Sequence, residues 1–228
     1  AIFFFLFSEN RIMRKVKHSM NEVSVLLKES HSAHEEILES LDRESSTYHQ
    51  SRYLTVYGHS PIYENSIATF FPTGEEYFEN LIEDLEKAEK FIFMEFFIIE
   101  EGYMWDTILE ILKRKAEEGV DVRLIYDDFG CLTKLPRNYE HKLESYGLKV
   151  HVFNPILLFV MPKHNNRDHR KIVVIDGYIG YTGGINLADE YINKVNRFGN
   201  WKDSGVRILG EAVYSLTTMF LSLWSHYE

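Results

Sequence analysis

The sequence predicts an α/β layered domain. Strand-length apolar runs alternate with helical periodicities from Glu75 onward, and an Asp-Gly pair separates two of the strand-like runs. From Glu75 to Glu89 a helix is expected, because Phe78, Leu81, Ile82 and Leu85 fall on one face. From Phe91 to Ile99 the chain is apolar except for Glu95, the pattern of a buried strand. A second helix is expected from Trp105 to Glu118, with Gly119 as its C-terminal cap. Strands from Val120 to Tyr126 and from Leu148 to Phe153 flank a helix from Arg137 to Tyr146 that Gly147 ends. Asp176-Gly177 is the strongest short hairpin signal, joining strands from Lys171 to Ile175 and from Tyr178 to Thr182. A last strand from Val206 to Leu209 and a closing helix from Glu211 to Tyr227 complete the pattern, which contains no internal repeat.

The 228 residues, 45% of them hydrophobic, suffice to bury a sizeable core in one domain. With 16 Phe, 14 Tyr and only 5 Pro, global disorder is excluded. The single cysteine, Cys131, rules out an internal disulfide framework and a thiolate metal cluster, and reads as a small packing residue. Up to Ser60 the chain carries 7 Lys/Arg against 8 Asp/Glu; beyond it stand 18 against 27. The larger part is therefore acidic, unlike the basic face with which a nuclease grips a polyanion, and nucleic acid is not the expected partner.

Three zones are expected. Residues 1–18 hold the apolar run Ile2-Phe3-Phe4-Phe5-Leu6-Phe7 followed by Arg11, Arg14, Lys15 and Lys17. With Ala1, these seven apolar residues are far short of the about 20 that span a bilayer, but an apolar run ending in a basic cluster resembles the cytoplasmic end of a transmembrane anchor. The alternative is an N-terminal core strand. Residues 19–60 form a membrane-proximal helical linker, with apolar residues at Val23, Leu26, Leu27, Ile37, Leu38 and Leu41 and a connector from about Tyr53 to Pro72. Residues 61–228 form the catalytic-looking part.

The chemistry concentrates in His169-Arg170-Lys171-Ile172-Val173-Val174-Ile175-Asp176, followed by Gly183-Gly184-Ile185-Asn186. Residues two apart on a strand share a face, so His169 and Lys171 project together. An imidazole beside an ammonium makes a site for an anion, phosphate above all. Gly183 and Gly184 let the backbone approach closely, and Asn186 offers an amide donor. Asp176 also suits a hairpin turn on its own account.

This segment is identified as the signature of the phospholipase D superfamily, matched without a gap. Further stretches resemble bacterial cardiolipin synthases: Thr69 to Glu76, Phe93 to Ile99, Tyr126-Asp127-Asp128, Asn165 to Lys171 and Trp201-Lys202-Asp203. Phe96-Phe97 departs from the tyrosines usual in that family, and Asp168 from its usual asparagine. The resemblance implies a phospholipase D-like layered domain with a mixed sheet flanked by helices, and a phosphatidyltransferase that joins two phosphatidylglycerols into cardiolipin and glycerol. It implies a phosphohistidine intermediate, with His169 as nucleophile or general acid, Lys171 and Asn186 on the phosphate oxygens, Asp176 ordering the site and Asp203 orienting the imidazole. It implies no metal and no cofactor.

The mechanism needs two histidines at one phosphorus, and the chain holds one signature. The second is expected from a downstream half of a longer protein or from a homodimer partner. Pro155 to Pro162 is an apolar run just before the basic Lys163, His164, Arg167, His169, Arg170 and Lys171. It is either a loop that dips into lipid or a buried segment; His164 is a bystander. A cell-membrane enzyme with a cytoplasmic catalytic domain is expected. The acceptor may be a lipid alcohol or, as in a hydrolytic phospholipase D, water; a superfamily phosphodiesterase and an incomplete membrane-binding fragment are the remaining alternatives.

Overall fold

The computed structural model describes residues 31–58, 60–155, 167–197 and 199–227. The expectations for residues 1–18, for the apolar run from Ile156 to Pro162 and for His164 lie outside the described residues. Helices α1 (His31–Ser40) and α2 (Ser46–Val56) precede the sheet. Ser45 accepts from the Tyr48 amide and starts α2, which runs into the expected connector. That connector also contains a strand, β1 (Ser66–Phe71). Its residues do not alternate between apolar and polar, because it is an edge strand most of whose side chains face solvent.

Beyond it the alternation follows the sequence pattern. In order come α3 (Gly74–Glu86), β2 (Phe91–Phe96), α4 (Tyr103–Glu117), β3 (Asp121–Asp127) and the single turn α5 (Asp128–Cys131). Then follow α6 (Tyr139–Glu144), β4 (Lys149–Phe153), β5 (Ile172–Ile175), β6 (Ile179–Gly183), a 3-10 turn (Asp189–Ile192), β7 (Gly205–Gly210) and α7 (Val213–Trp224). The seven strands form one mixed sheet in the order β1-β7-β6-β5-β2-β3-β4. Strands β2, β3 and β4 run parallel; the remaining pairings are antiparallel.

Strand β2 is the axis. It pairs with β3 on one side and β5 on the other, in the register Phe93↔Val174, Met94↔Val173 and Glu95↔Ile172. Successive residues then serve opposite layers. Met94, Val173 and Ile175 pack with Leu81 and Leu85 of α3 and Ile108 and Leu112 of α4. Phe93, Ile172 and Val174 pack with Val213, Leu216, Phe220 and Leu223 of α7. Phe220 stacks on Phe93 at 4.8 Å between centroids. Helices on both faces of a mixed sheet are the layered arrangement that the sequence predicts.

Helix α3 is fixed to the sheet by charge as well as by packing. Asp84, 2% exposed, accepts from Tyr181 Oη at 2.6 Å and from Arg207 Nη2 at 2.9 Å, with Arg207 Nε at 2.7 Å from Oδ2. Removing one partner of such a pair strands the other charge in the interior. Arg207→Met is therefore expected to cost roughly 3 kcal/mol of stability, read as a lower urea midpoint at unchanged slope.

Candidate active site

The signature segment enters the sheet at the start of β5, but residues 167–170 lie outside the ladder and are held by side chains. Asp127, fully buried at the end of β3, is the anchor. Its Oδ2 accepts from the Asp168 amide at 2.9 Å, and its Oδ1 meets Arg167 Nη1 at 3.2 Å. The same carboxylate caps α5 through the Phe129 amide at 2.9 Å. Burial raises the Asp127 carboxyl above its ordinary range, while the Asp168 amide and Arg167 pull it back.

Held this way, His169 and Lys171 meet. Lys171 Nζ lies 3.2 Å from His169 Nδ1 and 2.8 Å from His169 O. The imidazole is exposed, whereas Lys171 is only 3% exposed. Phe97, just past the end of β2, floors the pair, its ring 4.6 Å from the imidazole and 5.5 Å from Lys171 Nζ. Burial lowers the Lys171 ammonium from its ordinary range, and the charges of Asp168 and Asp203 oppose that fall. Asp203 is thus electrostatically part of the site; its Oδ1 accepts from the Ser204 amide at 2.8 Å.

Gly183 and Gly184 act through space rather than through a ligand. A Cβ on Gly183, at φ +154°, would meet Ser204 O at 2.5 Å, and one on Gly184 would meet Asp203 Oδ1. The pair lets β6 close onto the turn that carries Asp203. Asn186 is buried and engaged: Oδ1 accepts from the Ile98 amide at 3.0 Å, and Nδ2 donates to Tyr191 Oη at 2.7 Å. With Leu187 N–H to Ile98 O at 3.2 Å and Glu100 N–H to Leu187 O at 2.9 Å, it zips the loop after β6 to the loop after β2. Asp189 extends the zip, its two oxygens accepting the Tyr103 and Met104 amides at 3.0 and 2.8 Å to cap α4, whose own cap position is Gly102. Cys131 closes this floor, its buried Sγ accepting from the Ile99 amide at 3.2 Å, and burial pushes its thiol up to about 12.

Asp176 is not brought to the pair. It sits at the far end of β5, at φ +54° beside Gly177 at φ +72°, in a tight hairpin turn. Its carboxylate accepts the Glu89, Lys90 and Phe91 amides at 2.9, 2.7 and 2.9 Å, tying the hairpin to the start of β2. Asp176 orders the site only through the register of that hairpin. Nothing in the sequence pattern singles out Arg170, Asp189 or Tyr191. Glu95 does carry a signal, as the one charge in an apolar strand; it is fully buried against Arg170. Among the described residues no cluster of three or more His, Cys, Asp or Glu side chains is arranged to hold a metal ion.

A family profile described as "Cardiolipin synthase, PLD-like domain" matches residues 81–224, a stretch that contains the pair, its floor and both zipped loops. The chain belongs to this family. Among curated relatives of this cardiolipin synthase PLD-like domain, an uncharacterized protein of Streptococcus mutans is 52% identical over 78% of the chain and 39% of its own length. Proteins named cardiolipin synthase from Oceanobacillus iheyensis and Staphylococcus aureus are 38% and 40% identical, over 76% and 68% of the chain and 36% and 31% of theirs. The matched stretch thus spans less than two fifths of these relatives. The domain's fold is that of Nuc from Salmonella typhimurium, a phospholipase D family member (TM-score 0.51, 16% identity, 72% of this chain and 96% of that one). It is also that of Haemophilus influenzae phosphatidylserine synthase (TM-score 0.50, 15% identity, 78% of this chain and 44% of that one).

Three charge-assisted bonds end on the Asp176 carboxylate, and they carry its contribution. Asp176→Ala is expected to lower stability by about 3 kcal/mol in urea unfolding, and Asp176→Asn, which tolerates the positive φ and keeps an acceptor, by about half as much.

Proposed function

We propose that this domain supplies one half of a phosphatidyltransferase site, taking a phosphatidyl group from phosphatidylglycerol onto His169 and passing it to a second phosphatidylglycerol to make cardiolipin and glycerol. The observation that carries the proposal is the exposed His169 imidazole in contact with the buried Lys171 ammonium. As Lys171 donates to Nδ1, a neutral ring keeps its proton on Nε2. A phosphodiester oxygen that draws the ammonium onto itself releases Nδ1. The proton then moves to Nδ1 by exchange with solvent, a tautomer that Asp203 would favour in its proposed orienting role, and Nε2 becomes the nucleophile. Nε2 attacks phosphorus, the P–O bond to glycerol breaks, and the leaving alkoxide takes a proton from a second histidine. The acceptor hydroxyl then returns its proton to that histidine while its oxygen displaces Nε2. Lys171 offsets charge on the phosphoryl oxygens throughout.

The second histidine comes from another His-x-Lys-x4-Asp unit, in the remainder of the gene product or in a partner copy. Relatives more than twice as long as the matched stretch support the first source. Among the described residues no helix is long and apolar enough to cross a membrane, so the proposed membrane attachment rests on the apolar-basic sequence of residues 1–18. The acidic balance from Pro61 onward favours a lipid phosphodiester over a nucleic acid.

Membranes containing the full-length gene product, given phosphatidylglycerol in the presence of a chelator, are expected to form cardiolipin and glycerol in equal amounts. His169→Ala should abolish this, by at least about a thousandfold, and Lys171→Met should lower kcat/KM by about a hundredfold. Phosphatidic acid with no cardiolipin would assign the site to hydrolysis instead, and turnover surviving in His169→Ala would overturn the assignment of the nucleophile.

A further inference from the structure

On the opposite side of the signature segment from Lys171 lies a charge cluster with an incomplete hydrogen-bond balance. Glu95 is 0% exposed and Asp168 7% exposed. Arg170 Nε lies 2.6 Å from Glu95 Oε1 and 2.9 Å from Asp168 Oδ1, but its single N–H is aligned with Asp168. Among the described residues neither Glu95 oxygen receives a hydrogen bond from a donor, although the two carboxyl groups converge on the same Arg170 Nε. Two ionised carboxylates in that position would repel in the interior. One proton between them closes the balance: Arg170 then neutralises one carboxylate, as Arg167 neutralises Asp127.

We propose that Glu95 and Asp168 hold a single proton between them, and that this carboxyl pair is a positioning unit which, through Arg170 and the charge of Asp168, holds His169 and Lys171 in their phosphate-binding arrangement. The groups that face it are Arg170 and Asp168 from the signature segment, Asp127 from β3 with its partner Arg167, and Tyr227 beyond α7. Burial first, and the Asp168 charge second, lift the Glu95 carboxyl well above the ordinary carboxylate range against the pull of Arg170. The Asp168 charge also helps to sustain the buried Lys171 ammonium. With the proton on Glu95, the Asp168 charge is left to Arg170 and Lys171.

The inference rests on the reading of His169 and Lys171 as the phosphate-handling pair, and its test has one arm that does not. A carboxyl whose folded pKa is raised is protonated in the folded chain and ionised in the unfolded one, so stability falls as pH rises from about 4.5 toward the folded value. The full-length gene product, with Glu95→Gln and Asp168→Asn beside it, is melted between about pH 5 and pH 9 and assayed with phosphatidylglycerol over the same range. The wild-type Tm is expected to fall by several degrees across the range. Glu95→Gln, whose amide replaces the shared proton, should flatten that slope, and Asp168→Asn should move it to lower pH. On the alkaline side, KM for lipid in the wild type should rise severalfold while Glu95→Gln holds it. Tm curves that run parallel in all three proteins would overturn the shared proton. Separated Tm curves with superimposable KM profiles would overturn the positioning role. Absence of turnover in every protein, with Tm curves still separated, would count against lipid transfer and for the shared proton.

Discussion

A carboxylate that collects backbone N–H groups from a distant part of the chain is the interaction on which this domain depends. Asp127, Asp176 and Asp189 each do so, across 41, 85 to 87 and 85 to 86 residues respectively. Each joins a segment that leaves the sheet to one that enters it, where ladder hydrogen bonds are no longer present. An ionised acceptor makes shorter and stronger bonds than a carbonyl, so one side chain replaces several rungs. Asp176 sets the β5–β6 hairpin against β2, Asp189 sets the loop after β6 against α4, and Asp127 sets the signature segment against β3. Of the three, Asp127 holds the segment that carries the His169–Lys171 contact, while Asp176 acts from the far end of β5.

The same arrangement accounts for how an acidic chain keeps a lysine ammonium beside an imidazole. Its net charge of −10 gives no attraction for phosphate. Several carboxylates are instead spent inward: Glu95, Asp84, Asp127 and Asp168 are all buried. Arg170, Arg207 and Arg167 are drawn to them. Lys171 is left with its ammonium beside an imidazole and an aromatic face rather than in a tight ion pair.

Much of this was legible in the sequence. The alternation of apolar runs and amphipathic helices gave β2 through α7, because core-facing residues have to repeat at the period of their element. The pairing of His169 with Lys171 followed from strand parity, and the turn at Asp176-Gly177 from the need for positive φ at both positions. Strand β1 was not legible, since an edge strand lacks the alternation that burial imposes. Asn186 and Asp176 have the residue types of ligands, yet their hydrogen bonds go to Tyr191, to the Ile98 amide and to the amides at the start of β2, partners 5 to 88 residues away that local pattern does not reveal. The partners of Glu95 were hidden for the same reason.

The pairing of β1 with β7 has a consequence for how the chain is made. Ser66 meets Gly210 and Phe71 meets Gly205, so within this sheet the strand that comes first in sequence pairs only with the one that comes last. Helix α7, which covers the second face of the sheet, is synthesised later still. Until then β1 waits with Ile67 and Phe70, which stay 66% and 64% exposed even in the finished fold. Such long-range closure is slow, and an unpaired apolar strand is prone to join its copy on a neighbouring chain. During synthesis, therefore, this domain carries an aggregation hazard at β1, and chaperone protection of that strand would matter until residue 210 emerges.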